Sequence, residues 1–472
     1  MPRQEPRSLV NSVNRRHFLR ETALVSAGAS LLGGPPLFGQ EAGVRPARAA
    51  GVQVLHPRGR VPVSLIIDDS TCLVNLNKFA IPQFAQVTPA RYENYNWRDW
   101  PNEIPDAFVR KFGEWAAASG VKGKYSIVPY PACVGRVDRM LPGWTQKELA
   151  ASLDLVRTVM MPNWDIHPEM VTHTRVIDTK TGHPHPEFDL RHMENWDWTT
   201  GRSADEIADY MRYALTILKN AGLSCEGVTT PGGFGNRARP QLAQAALESC
   251  RDVFQTEIPH YFRDLYDSGE TSVAPRVELA SGLDGNDPRC VVSIVGCTGD
   301  WTGGWDNTLP VGVDRFITAD GQQGRMVDVI TRGEPAIMVC HWTGVYFNGR
   351  ELGFQIFQDV VKRLAARFGE GIRWMKLSEI ARYSAAKELT TTELSADGRT
   401  LNLRAPFACP EFTFAVAAAG ATPPVLVVGP KREALTEVSS LARLTPGTWF
   451  RADGRVTVCF ALPKGVSKLA LG

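Results

Sequence analysis

The sequence predicts an α/β fold: a (β/α) barrel of seven or eight units over residues 61–385, then a small antiparallel β domain over residues 386–472. Three observations carry this. Short β-branched or apolar runs alternate with helical patterns, as in parallel strands joined by crossover helices. Unusual polar residues follow those runs, where barrel folds gather their chemistry. Past residue 385 the helical period stops, and apolar residues alternate with polar ones.

The first run, 61–67, is nearly all apolar and ends in Asp68-Asp69, so it reads as a buried parallel strand. Residues 105–119 read as a helix, with Phe108, Phe112 and Trp115 on one face and Gly120 as its stop. A strand follows at 124–128, a helix at 145–159 opened by Thr145, and a short strand at 163–166. Residues 203–220 make a strongly amphipathic helix, where Ser203 and Glu206 form a capping box. Strands at 227–229, 253–255, 291–295 and 336–340, with helices at 239–249 and 353–368, complete the series. In the last segment Leu401, Leu403 and Ala405 alternate with polar residues, as do Phe412, Phe414 and Val416, and Val456, Val458 and Phe460. Ala-Asp-Gly-Arg turns beginning at Ala396 and Ala452 mark hairpins.

Of the 472 residues, 43% are hydrophobic and 22% charged, which excludes collagen-like, coiled-coil and largely disordered chains. A net charge of +2 without a basic block argues against a nucleic-acid partner. After residue 50 no apolar stretch reaches the roughly 18 residues of a membrane span. Asn14-Arg15-Arg16-His17-Phe18-Leu19-Arg20, a weakly apolar segment and Ala47-Arg48-Ala49 make residues 1–50 look like a twin-arginine export signal. The export machinery is then an expected partner, and the periplasm or the exterior the expected location. Nine scattered cysteines without C-x-x-C spacing argue against a structural zinc knuckle.

The candidates for chemistry follow strands. Of Asp68 and Asp69, one can ligate a metal while the other acts as a base; a polar turn is the plainer alternative. His167 and His173 lie in one ten-residue stretch, and two imidazoles with a carboxylate are a recurrent divalent-metal set. Glu169 between them is a further possible ligand or base. His341 ends the run 336–340, where a histidine is either a general acid or a buried core residue. His183, His185, Glu187, Asp189, His192, Glu194 and Asp197 crowd a Pro/Gly-bearing loop, read as a lid, a substrate rim or a solvated segment. Trp301, Trp305 and Trp342 either stack on sugar rings at the barrel mouth or pack in the core.

In order, these segments resemble the polysaccharide deacetylases of the NodB-homology type, carbohydrate esterase family four. Asp68-Asp69 is similar to the family's Phe-Asp-Asp motif. Val121-Lys122-Gly123-Lys124-Tyr125-Ser126-Ile127 resembles its next strand, and His167 with His173 its histidine motif. Val228-Thr229-Thr230-Pro231-Gly232-Gly233, Ile337-Met338-Val339-Cys340-His341 and Met375-Lys376-Leu377-Ser378-Glu379-Ile380 resemble three later motifs. The resemblance covers roughly residues 61–384 and implies a deacetylase-type barrel. It implies one divalent metal ion, with zinc expected, held by Asp69, His167 and His173. It further implies Asp68 as general base, His341 as general acid and an acetylated glycan as substrate. Three features depart from the pattern. The histidines are separated by five residues rather than three. Thr229 or Thr230 stands where the family has an arginine that orients the base. Residues 70–105 form a longer insertion. A metal-free glycoside hydrolase on the same barrel, using Asp68 or Asp69 with Glu169, and a catalytically inactive glycan-binding protein are the competing expectations.

Overall fold

Val61–Asp68 forms a strand because its β-branched side chains are buried on both faces, and it organises the sheet around it. Ala336–His341 and Gly123–Ser126 pair with it in parallel, Trp164–His167 continues beyond Gly123–Ser126, and Ile372–Trp374 pairs with its first residues. A second sheet runs Gly227–Thr229, His260–Leu265, Arg289–Gly296, Arg276–Ser281; the first three strands are parallel and the last is antiparallel. The sheets meet at two seams. Thr229 N–H donates to the Pro168 carbonyl over 3.0 Å, and Cys297 N–H to the Ile337 carbonyl over 2.8 Å. The expected barrel is thus a mixed α/β fold of two sheets bridged at their edges, with no continuous closed ladder among the described residues. The computed structural model describes residues 46, 48–69, 71–307, 312–417 and 422–471; the paired-arginine segment lies outside them. No helix among the described residues is long and apolar enough to cross a membrane.

The helices follow their caps. Thr145 and Glu148 close a capping box on Gln146–Leu155, and Ser203 and Glu206 close another on Ala204–Asn220. Ala204–Asn220 lays its apolar face against Arg239–Phe254. That second helix absorbs the strand expected at 253–255, because Val253 and Phe254 extend its apolar face until Gln255 turns left-handed, with φ 56°. The strand lies further on, at His260–Leu265, where a histidine, an arginine and an aspartate break the apolar run that would have marked it.

The last segment forms two five-stranded sheets, one of them completed by Val52–Val54, that share one core. Leu401, Leu403, Leu426 and Leu469 from one sheet meet Phe412, Phe414, Val458 and Phe460 from the other, so the expected alternations are buried on their inner faces. Asp453 and Gly454 take φ of 50° and 71°, the left-handed pair that a tight hairpin needs. Two features were not expected. Val52–Val54 pairs antiparallel with Cys409–Ala417, and helix Leu377–Leu389 sends Ile380 and Ala381 into one core and Tyr383 and Ala386 into another. All nine cysteines are free thiols.

Candidate functional site

Asp68, Ser126, His167 and His341 are the last residues of four neighbouring parallel strands, so the backbone delivers them to one end of the sheet. Asp69 then takes a φ of 54°, a left-handed turn that an aspartate tolerates and that parts its carboxylate from that of Asp68. Asp68 Oδ1 accepts from Lys124 Nζ in a close ion pair and from Ser126 Oγ over 3.1 Å, and Lys124 Nζ also reaches Ser126 Oγ at 2.7 Å. Lys124 is fully buried. Burial, with Glu169 as a like charge nearby, outweighs Lys124 and raises the Asp68 pKa to about 6.

Asp69 faces the other way. His173 Nε2 stands 3.0 Å from Asp69 Oδ1 and 3.4 Å from Glu169 Oε1. Asp69 Oδ2 accepts from Asn77 Nδ2 over 2.6 Å, and Asp69 N–H donates to Glu169 Oε2 over 3.1 Å. Burial opposes ionisation of Asp69, but His341, His173 and the Asn77 hydrogen bond win and lower its pKa to about 2. All three side chains are buried. Ligand atoms on tetrahedral bonds of roughly 2.0–2.2 Å lie about 3.3–3.6 Å apart; one ligand atom of each of the three residues lies within 4.8 Å of the others, so the trio could close on a small divalent ion. Two carboxylates and one imidazole suit zinc and its neighbours better than calcium.

The loop carrying His173 is built for this. Met170 and His173 have φ of 54° and 65°, and the buried carboxylate of Glu194 accepts the backbone N–H groups of Val171, Thr172 and His173, the last over 2.6 Å. Tyr210 O–H closes on the same carboxylate. Opposite the trio, His341 Nδ1–H donates to Asp300 Oδ2 over 2.7 Å, which leaves Nε2 for the site. Burial works against the His341 proton, but Asp69, Asp300 and Asp68 outweigh it and raise the pKa to about 10.

His167 does not join Asp69 and His173. Its ring turns beneath the site, with Nε2 2.9 Å from His260 Nε2 and Nδ1 3.3 Å from Thr229 Oγ1. Both rings are wholly buried. Gly227 makes room for them: a Cβ there would lie 2.5 Å from the His260 carbonyl and 2.8 Å from His167 Nε2. Gly227→Ala is therefore expected to destabilise the fold by about 1–3 kcal/mol, read as a lower denaturant midpoint. Burial, aided by Lys124, lowers the His260 pKa to about 3 from its ordinary 6.5. The unfolded chain then binds more protons than the folded one between those values. Stability is complete above pH 6.5 and falls as pH drops, by about 2 kcal/mol at pH 5. Denaturation of the wild type and of His260→Gln at pH 7 and pH 5 checks this, the variant losing less on acidification.

Trp342, for which stacking at the barrel mouth and core packing were both open, is fully buried against Phe112 and Tyr125, because it opens the short helix Trp342–Tyr346 with its indole turned inward. Trp301 is buried against Phe316 under the Arg315 guanidinium. Trp305 alone of the three is half-exposed. It packs with Tyr92 and Tyr95, and its carbonyl accepts from Asn77 Nδ2 over 2.7 Å. Trp196 packs with Phe84, whose ring lies 6.3 Å from that of His173. Part of the 70–105 insertion thus forms an aromatic border beside the trio. Sequence reasoning missed Lys124, Asn77 and Asp300. The usable signal was Lys124, a lone charge inside a buried strand.

No family model and no curated protein matches the chain. Among solved structures, a 4-alpha-glucanotransferase from Thermococcus litoralis has a TM-score of 0.35 at 12% identity, over 68% of this chain and 38% of that one. This chain therefore spans well under half of that protein. An alpha-L-fucosidase has a TM-score of 0.33 at 10% identity, over 89% of this chain and 97% of that one. A Bacteroides vulgatus glycoside hydrolase of family 5 has a TM-score of 0.29 at 10% identity, over 78% and 86%. Likenesses this distant decide nothing about chemistry, which rests on the site itself.

Proposed function

We propose that the chain is a divalent-metal hydrolase that removes an acyl group from a glycan, on a divergent barrel of the polysaccharide-deacetylase type. The observation that carries this reading is the buried trio Asp69, Glu169 and His173, with His173 Nε2 3.0 and 3.4 Å from the two carboxylates. These three residues would hold the ion, with Glu169 in the place first given to His167. A bound divalent ion, zinc in this reading, supplies Lewis acidity that polarises a carbonyl and acidifies water. Asp68 is anchored through Oδ1 by Lys124 and Ser126, so Oδ2 is the atom that takes the proton of the attacking water. Lys124 does here what the missing arginine does in the family. The water oxygen bonds to the acyl carbon, the C–N or C–O bond breaks, and His341 Nε2 gives its proton to the departing atom. Asp300 holds Nδ1 so that Nε2 keeps its aim. The half-exposed Trp305 and Tyr95 support a sugar ring as the body of the substrate. Export by the twin-arginine route belongs to the same reading.

A second reading pairs the carboxylates of Asp68 and Glu169 as the acid and base of a metal-free glycoside hydrolase. Burial raises the Asp68 pKa to about 6, while for Glu169 the neighbouring His173 outweighs burial and holds the carboxyl below its ordinary value. One experiment separates the readings: elemental analysis of the purified protein, with acetate and reducing ends assayed on acetylated glycans before and after EDTA. Bound metal and EDTA-sensitive acetate release support the hydrolase of acyl groups. New reducing ends from metal-free protein overturn it in favour of the glycosidase. Glycan binding without either product, unchanged by Asp68→Ala and His341→Ala, leaves a binding protein.

A further inference from the structure

His185, Glu187 and His192 of the His/Glu-rich loop are used by neither reading, and the structure gathers them. We propose that His185, Glu187 and His192 form a second, surface site for a divalent transition-metal ion of the zinc class, which fastens this loop. The backbone sets the two histidines side by side. Val176 accepts the His185 N–H over 3.0 Å on one side and donates to the His192 carbonyl over 2.9 Å on the other. The imidazole rings lie 5.5 Å apart. Glu187 completes the group: one ligand atom from each residue lies within 4.8 Å of the others, and His192 Nε2 stands 4.0 Å from Glu187 Oε2.

The tautomer of His192 is set for ligation. Asp189 Oδ1 accepts from His192 Nδ1 over 3.0 Å, and the same oxygen takes the backbone N–H groups of Arg191 and His192. With the proton held at Nδ1, the Nε2 lone pair points toward Glu187, the arrangement by which carboxylates orient metal-bound histidines. Tetrahedral ligation needs spacings of about 3.3–3.6 Å, a small closure for side chains that are partly exposed. Two imidazoles select zinc, nickel or copper over calcium or magnesium.

Such an ion would tie His185 to His192 just ahead of Glu194 and Asn195. Glu194 carries the backbone of the His173 loop, and Asn195 Nδ2 lies 3.4 Å from His173 Nδ1. The surface ion would therefore steady the frame of the buried trio from outside, and this proposal does not depend on the proposed function.

The test is zinc alone, titrated by calorimetry into the full-length, EDTA-stripped protein. It is run on wild type, His185→Ala/His192→Ala, Asp189→Asn and, separately, Asp69→Asn. The double variant is expected to bind one ion fewer than wild type and to keep its thermal unfolding in EDTA, since its changes are at the surface. Asp189→Asn is expected to weaken the same site about 10-fold. Zinc is also expected to slow tryptic cleavage after Lys180 and Arg191 in wild type but not in the double variant. Equal stoichiometry and affinity in wild type and double variant overturn the proposal. An ion lost in Asp69→Asn but retained in the double variant overturns the surface site and leaves the buried one. The converse sinks the metal hydrolase and leaves the surface site.

Discussion

Replacing Lys124 by methionine is expected to cost about 3–5 kcal/mol of folding stability at pH 7, the usual result of stripping one partner from a buried ion pair. Methionine keeps the length and apolar stem of lysine, so little of the loss comes from packing. It comes from Asp68, which would stay buried beside Glu169 without its ion-pair partner, left with the Ser126 hydroxyl and the more distant charge of His341. The pKa of Asp68, already raised in the wild type, rises further in the variant. The penalty is therefore complete at pH values where Asp68 must ionise, and it shrinks as pH falls and the carboxyl is protonated in both states. Adding Asp68→Asn to Lys124→Met removes the stranded charge and is expected to restore most of the stability. Denaturant midpoints of the two variants at pH 7 and pH 5 decide the matter. A Lys124→Met protein as stable as wild type at pH 7 would mean that the pair carries no electrostatic weight.

The second large effect concerns His341. If the protein is the metal hydrolase proposed above, His341→Ala is expected to lower kcat for acyl release by about 10²–10⁴-fold, the range for loss of a general acid, while bound metal per chain stays as in wild type. The split is diagnostic because His341 makes its hydrogen bond to Asp300 and none to Asp69, Glu169 or His173 among the described contacts. Asp300→Asn is expected to act in the same direction but more weakly, lowering kcat with KM unchanged, because the imidazole stays in place but loses its fixed orientation and part of the negative charge that holds its proton. Steady-state kinetics with metal analysis on each preparation is the check. Loss of metal in His341→Ala would move His341 from proton donor to ligand.

Much of the architecture was legible because parallel strands buried on both faces are written as unbroken apolar runs, and the helices between them carry their caps in plain sight at Thr145 and Ser203. The meeting of Asp68 and His341 at one end of the sheet was legible for a related reason: a polar residue that ends such a run has few places to point. The choice between His167 and Glu169 was not. Both lie in one short stretch, and its path is set by left-handed residues at Met170 and His173 that follow no helical or strand period. His167 still belongs to its strand and points where strand alternation sends it, toward His260. Glu169 belongs to the loop and swings back to Asp69. Between mouth and core Trp342 stayed open, because sequence order beside His341 says nothing about which way a helix-opening side chain turns.

The pairing of Val52 with Val416 has a consequence for how the chain acquires its shape during synthesis. The short strand Val52–Val54 is made early, yet its partner Cys409–Ala417 leaves the ribosome only after the whole α/β region has been translated. Until then the early strand has no ladder to join, and afterwards the open edge of Cys409–Ala417 invites strangers until the two ends meet. Closure over such a span is slow relative to local contacts. The edge of Cys409–Ala417 is therefore covered late, with Val52–Val54 as the outer strand of the finished sheet.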